Sequence, residues 1–437
     1  MILFMKKSLV KVVFLLLVGY AASSQGLLKL SDAQKYALEN NFSLKVSEKQ
    51  VELAQNQIFK ANAGMSPIID WNTSFNSSFN QVNQNFVDGR VINRFGRSLS
   101  PISNLALAYT LYDGRRMQTV FERLKTQGQQ SKIQQQLAIQ NTLSNVMQVY
   151  FDIQRLQNTE EYLNEIIKYY EERLKITEER WQIGRGSKLD YLQSKADLST
   201  QLTNLTNNSN QLKNAKISLN GVLGRDPKIE FEVEKEQIAS PMYDLSFLID
   251  QAKSQNPEFL NLKKTEEINL LSQKEASSFK KPRINLNSSF GYNFNSNNAG
   301  LITFNQSVGL NAGVSASWRI FDGQLINRNI QSSKINGEII QAQKADLLNR
   351  LENQLTTSYF QYETDKKLLE LEKENKEIAA ENLSISLEKF KLGSSTILEI
   401  NDAQTRYNTV LNRLVSAQFN VKISQLDLLT ISGQLMK

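Results

Sequence analysis

Glu399 and Asp402 lie three residues apart in the stretch LGSSTILEINDAQ, 392–404. On a helix that spacing puts both carboxylates on one face. Two carboxylates on one face attract cations and repel anions. An earlier stretch, IGRGSKLDYL (183–192), places Asp190 and Gln193 at the matching positions, one acid rather than two. Little else in the chain could do chemistry. There is no His and no Cys, which removes the commonest acid–base group, the commonest metal ligand and all thiol chemistry. No glycine-rich phosphate loop is present. The expectation is a protein that is not an enzyme and holds no cofactor and no metal.

The acids also have a plainer reading. Thr396-Ile397-Leu398-Glu399 and Ser187-Lys188-Leu189-Asp190 both fit a capping box, and an acid in a first helical turn complements the helix dipole. Glu399 and Asp190 are therefore expected to serve as caps at least in part. Asp402 lies beyond the capping position, so capping does not account for it. The turns themselves, Ile183-Gly184-Arg185-Gly186 and Leu392-Gly393-Ser394-Ser395, read as helix ends with a left-handed glycine. Turn tips at the end of a helical hairpin also offer a partner close backbone approach.

These corners recur because the chain is duplicated. Gly184 and Gly393 are separated by 209 positions, as are YDG (112–114) and FDG (321–323), Tyr150 and Tyr359, and Gly224 and Gly433. Upstream of the DG pair the offset is 215, relating Asn41 to Asn256, Pro67 to Pro282 and Phe75 to Phe290. Such a period is too long for a solenoid. The reading is a leader over 1–24, a first repeat over 25–223, a linker over 224–243 containing a short strand at 229–233, and a second repeat over 244–437.

Each repeat opens with a helix, 30–64 with Ser31 as cap in the first and 245–279 in the second. The pattern then changes to period two over 68–112 and 283–321. In the second copy Ile284, Leu286, Phe290, Tyr292 and Phe294 alternate with Asn285, Asn287, Ser289 and Asn293. Strict alternation predicts strands with one apolar and one polar face. The polar face is Asn, Ser, Gly and Thr with little charge, and aromatics such as Trp71, Tyr109, Tyr292 and Trp318 sit near strand ends. That favours a membrane barrel over a soluble sandwich. Four strands cannot close a barrel, so the chain must oligomerise, a dimer supplying 8 strands or a trimer 12. After each DG a helical pattern runs from 115 to 182 and from 324 to 391, each about 100 Å at about 1.5 Å per residue. A shorter helix follows each glycine corner.

Residues 5–25, MKKSLVKVVFLLLVGYAASSQ, read as a signal peptide cut ahead of Gln25, and without Cys no lipid anchor is expected there. Losing its three lysines reduces the net charge from +7 to +4. No basic tract interleaves with aromatics, so no nucleic-acid partner is expected.

The duplication, the YDG and FDG junctions and the two corners, in this order and spacing, resemble the TolC family of outer-membrane efflux proteins over the whole mature chain. The resemblance implies a mainly α fold with membrane β. Long α-helical hairpins would form a periplasmic tunnel, and four strands per chain would contribute to a 12-stranded trimeric β-barrel. It implies a homotrimer in the Gram-negative outer membrane, in contact with lipid. It also implies a passive exit duct for efflux or type I secretion, opened by docking with a periplasmic adaptor and an inner-membrane transporter. The family's acidic constriction falls on Glu399 and Asp402, with Asp190 and Gln193 in the first copy. Adaptor contacts fall on the two turns. In some family members a basic residue ties the second turn shut where Ser395 stands, so the closing network is expected to be weaker or differently wired. The rival readings are a periplasmic coiled-coil adaptor and a pore-forming toxin.

Overall fold

The computed structural model describes residues 26–239, 241–299 and 302–436. The leader expected over 1–24 lies outside the described residues. In chain order the elements are β1 (Gly26–Leu28), α1 (Leu30–Asn40), α2 (Phe42–Asn56), β2 (Ile68–Asn85), β3 (Val91–Tyr112), α3 (Arg116–Gln182) and α4 (Lys188–Leu223). They continue with β4 (Phe231–Val233), α5 (Leu245–Gln255), α6 (Pro257–Ser278), β5 (Arg283–Asn297), β6 (Phe304–Ser317), α7 (Leu325–Leu392) and α8 (Ile397–Ser432). Two helices, a strand hairpin, a very long helix, a corner and a last helix thus occur twice. The chain divides into two compact units, one of 1–47, 136–257 and 348–437, the other of 48–135 and 258–347.

The opening helix of each repeat is not continuous, contrary to the periodicity. In the first copy it breaks at Asn41, whose Oδ1 accepts from the N–H groups of Ser43 (2.9 Å) and Leu44 (3.2 Å) and so starts α2. Its Nδ2 donates to the Val222 carbonyl at 2.7 Å. In the second copy Asn256 Nδ2 donates to the Ile431 carbonyl at 2.9 Å, and Pro257 opens α6 at a position where no N–H is needed. Ser31 is not a cap; Lys29 precedes α1 and offers no side-chain capping bond. The first-copy helix also stops at Asn56 rather than near 64.

In the first unit, Val146, Tyr150 and Ile153 of α3 pack with Leu219 and Leu223 of α4, with Ala33 and Ala37 of α1, and with Leu28, Phe231 and Val233. The last three belong to β1 and β4, which pair in parallel with Gly26 beside Phe231. The linker strand is therefore shorter than the expected 229–233, and its partner β1 was not anticipated. Side chains lash the linker down. The Tyr150 hydroxyl donates to the carbonyls of Leu28 and Glu234, and Tyr362 to that of Pro241. Lys422, 8% exposed on α8, donates to Gln154 Oε1 at 2.8 Å and to the Glu236 carbonyl at 2.7 Å, over the Phe151 ring.

Burial lowers the Lys422 pKa from 10.5 to about 8, against the opposing pull of Glu236. The unfolded chain therefore binds this proton more tightly than the folded one. The resulting penalty is full below pH 8, shrinks as pH rises, and vanishes above about 10.5. Its size is on the order of 3 kcal/mol. Lys422→Met should remove this pH dependence. In thermal melts from pH 7 to 10.5, the gap between variant and wild type should narrow as pH rises. Parallel curves would rule out Lys422 as the source.

In the second unit the four long strands form one antiparallel sheet in the order β2-β3-β5-β6. The register carries Trp71 to Leu105, Leu105 to Phe290 and Phe290 to Leu310. Every position of this row is apolar. One residue along, Asn72, Asn104, Gly291 and Gly309 share the other face. The Leu105–Leu111 alternation slips at its end, where the β3–β5 register shifts between Thr110 and Tyr112. The second hairpin stops at Ser317 rather than 321, and Trp318 Nε1 donates to the Lys280 carbonyl. The DG landmarks are helix starts: Asp113 accepts from the Met117 N–H and Asp322 from the Ile326 N–H.

Candidate functional site: the two helical corners

The two corners have one backbone plan. Gly184 (φ 74°) and Gly393 (φ 78°) are left-handed. The next residue reaches back in each, Arg185 N–H to the Arg180 carbonyl (2.8 Å) and Ser394 N–H to that of Lys389 (2.9 Å). This is the double closure that ends a helix at a left-handed glycine. Gly186 has a packing reason, since a Cβ there would meet Arg180 Cβ at 2.8 Å. Trp181 stacks on Tyr191 across the first corner, with Lys188 Nζ over its ring.

The caps differ. Thr396 Oγ1 accepts from the Glu399 N–H at 3.3 Å, as the capping box requires. Ser187 Oγ instead accepts from the Leu189 N–H at 3.0 Å, one residue before Asp190. Side chains at the tips are bare: Ile183, Leu189, Leu392 and Leu398 are 65%, 71%, 82% and 76% exposed. Ser395 keeps a buried Oγ with no partner among the described residues.

Behind the corners α3, α4, α7 and α8 are bolted together. Arg173 of α3 is completely buried; Nη2 donates to Asp197 of α4 and Nη1 to Asn401 of α8 at 3.1 Å. Arg180, one heptad further, donates to the Phe390 carbonyl of α7 and lies over its ring at 4.5 Å. Lys391 bridges to Glu172 at 2.6 Å, and Glu172 and Glu388 raise its pKa. Tyr407 donates to Glu165 at 2.6 Å; burial and that bond both push its phenol up. The apolar filling is Ile166, Tyr170, Leu383, Leu387, Phe390, Ile400 and Leu411.

With this geometry in hand, the comparisons are specific. The family model described as "Outer membrane efflux protein" matches residues 34–225 and 248–434. The chain belongs to the outer membrane efflux protein family. Among relatives, Outer membrane protein TolC of Escherichia coli K12 is 22% identical over 444 residues, covering 99% of this chain and 87% of TolC. Among solved structures, the Campylobacter jejuni CmeC outer membrane channel aligns with a TM-score of 0.78 at 17% identity, over 93% of this chain and 85% of that one. Vibrio cholerae VceC aligns with 0.76 at 15% identity, over 92% and 96%. At such identities these structures show the fold. The family places the chain in the outer membrane, with its helices forming a periplasmic tunnel, and is one of channels rather than enzymes.

Within this family member the candidate acids divide further than the sequence suggests. Glu399 and Asp402 are both exposed on the first turns of α8. Asp402, however, accepts from Arg406 Nε at 2.7 Å, one turn on, and holds the Arg406 pKa up. Its charge is partly offset, which spacing counted from Glu399 alone did not reveal. Asp190 is half-buried, and Gln193 donates to Asp197 at 3.0 Å rather than standing free. Gln193 is thus tied into the Arg173 clamp through Asp197. Sequence reasoning missed that clamp. Its signal was present, since Arg173 and Arg180 are seven residues apart on one side of α3, close to a corner.

Proposed function

We propose that this chain is the outer-membrane exit duct of a tripartite efflux or type I secretion system. It acts as a passive homotrimer that opens on docking with a periplasmic adaptor and an inner-membrane transporter. The observation that carries the reading is the four-stranded sheet, apolar on one face, amide and hydroxyl on the other, with β2 and β6 as free edges. In hydrocarbon a free edge leaves backbone groups without partners, and spanning barrels have at least about 8 strands. Three copies give a twelve-stranded barrel, the number that the family resemblance favours. Cross-linking in outer-membrane fractions followed by planar-bilayer recording tests this. A heat-modifiable trimer that conducts is expected, and a soluble monomer would end the proposal.

The exposed turns Ile183–Gly186 and Leu392–Ser395 are assigned to the adaptor. Glu399 and Asp402, with Asp190 and Gln193 of the first copy, are assigned to the narrowest part of the entrance. The Arg406 contact sharpens the electrical prediction. Asp402→Asn and Glu399→Gln each remove one negative charge, and the former also leaves Arg406 without its partner, so preference for cations should fall in both. The double variant should lose block by divalent cations. Reversal potentials in a salt gradient below about 0.1 M, where screening is weak, measure this. An unchanged potential in the double variant would remove these acids from the conducting path.

A further inference from the structure

The first strand hairpin outgrows the second. The last β3–β5 pair is Ser98 with Asn297, yet β2 and β3 continue pairing from Phe79–Arg97 to Asn85–Val91. That leaves seven pairs of two-stranded ribbon, about 24 Å along the strand at about 3.4 Å per residue. The ribbon is pinned at its base. The Arg97 N–H donates to Asn298 Oδ1 at 2.6 Å, and the Asn298 N–H to the Arg97 carbonyl at 3.2 Å. The strand turns lie at the end of the sheet opposite the helix junctions, so in the outer membrane the ribbon projects outward.

Register fixes which side chains share the lipid face. Below the ribbon that face carries Trp71, Phe75, Leu99, Leu105, Leu107, Phe290, Phe294, Phe304, Leu310 and Val314 with small polar residues between, and no charged side chain. The first charge met going outward is Arg97. From Leu107 to Arg97 is ten residues, which at about 3.4 Å each and a tilt of about 40° spans roughly 26 Å. An apolar band is about 25 Å tall. Arg97 therefore stands at the outer rim of the hydrocarbon.

Its surroundings suit one class of ligand. The guanidinium lies 5.7 Å over the Phe79 ring and has no ion pair among the described residues. Phe79 stacks on Phe95, which shares the outward face. Above them the amides of Gln81 and Asn93 meet at 2.9 Å. Of the ribbon's arginines, Arg97 is on the outward face, Arg94 pairs with Val82 on the opposite face, and Arg90 binds the single acid, Asp88. An arginine fork holds a phosphate in two hydrogen bonds, and its flat cation stacks on aromatics. Paired rings offer a flat apolar platform to a sugar, and amides offer hydrogen bonds to its hydroxyls.

We propose that the outward face of this ribbon, centred on Arg97, Phe79 and Phe95, binds the phosphorylated saccharide headgroup of an outer-leaflet glycolipid. The inference rests on the barrel reading above, and goes beyond it by assigning one headgroup site per copy. Charge complementarity and unbroken continuity with the lipid face single out this occupant.

The test is native mass spectrometry of the full detergent-extracted protein with a bis-phosphorylated acyl disaccharide, and with the same lipid after phosphate removal. Wild type is expected to retain the phosphorylated form about tenfold better. Arg97→Gln should bind both forms at the lower level, Arg97→Lys should recover part, and Phe95→Ser should weaken both. Equal retention of the two lipids by wild type, or full retention by Arg97→Gln, overturns the site. Inorganic phosphate bound as well as the glycolipid would reduce it to an anion site and overturn the assignment. Planar-bilayer conductance separates the two readings. A protein that conducts but ignores the phosphates loses only the headgroup site, whereas one that never inserts loses both.

Discussion

Asp197→Ala is expected to loosen both corners, more than any other single change near them. Arg173 has no exposed surface, and its guanidinium is held by Asp197 and Asn401. Its Nε already lacks a partner. Removing Asp197 leaves a buried cation with one neutral partner. Breaking a buried pair in this way costs about 3–5 kcal/mol, whereas replacing both partners with apolar groups is often close to neutral. Asp197 is 22% exposed, so water can reach the gap and the cost should fall near the lower end, about 3 kcal/mol. Gln193 loses its acceptor in the same step. Amide exchange across 186–200 and 397–405 should accelerate, and resting conductance should rise if these corners close the entrance. Arg173→Met with Asp197→Leu should fold nearly as well as wild type but lose the hook to Asn401. If the double variant proves less stable than Asp197→Ala, the buried charge is not what makes the clamp matter.

That clamp marks where the sequence stops being readable. Features set by neighbours a few residues away were visible in it: the left-handed glycines at 184 and 393, the Asp-Gly helix starts, the uninterrupted runs that became α3 and α7, and the period-two strands. Features set by distant chain were not. The break at Asn41 depends on the Val222 carbonyl, 181 positions away. In the second copy Pro257 does announce the break locally, and the duplication could have carried that clue back to Asn41. Strand β1 exists because β4 lies beside it, with Gly26 paired to Phe231. Its three residues carry no periodic signal of their own. The ribbon is a similar case: the extra residues of the first hairpin were evident from the change in offset, but which strand they would outgrow depends on the β3–β5 register. The corner acids were readable as to position but not as to charge, because Asp402 is tuned by Arg406, a helical turn beyond the motif.

Leu310→Arg is expected to abolish assembly in the outer membrane, while Asn311→Arg, the next residue, is expected to assemble. The register puts Leu310 in one row with Phe290, Leu105 and Trp71, all on the apolar face. An arginine on the lipid face of a barrel costs as much as about 2–4 kcal/mol, the most at the midplane. In a trimer that is about 6–12 kcal/mol, comparable to the whole stability of an ordinary domain. Asn311 pairs with Ser289, whose partner on β3 is Ala106, so it faces the amide and hydroxyl side. In a wet lumen an arginine there keeps its water. It adds three positive charges within about one screening length of the pore axis, and should shift conductance toward anions at low salt. A soluble sandwich predicts otherwise. Burying Leu310 in a protein core would also make Leu310→Arg unfold, but Asn311→Arg would then have no electrical consequence. The decisive comparison is therefore between the two variants in one assay. Heat-stable trimers in outer-membrane fractions should be lost for Leu310→Arg and retained for Asn311→Arg, with an altered reversal potential only in the latter. Insertion of Leu310→Arg but not of Asn311→Arg would mean that the faces of this sheet have been assigned the wrong way round, and equal insertion of both that it does not meet lipid at all.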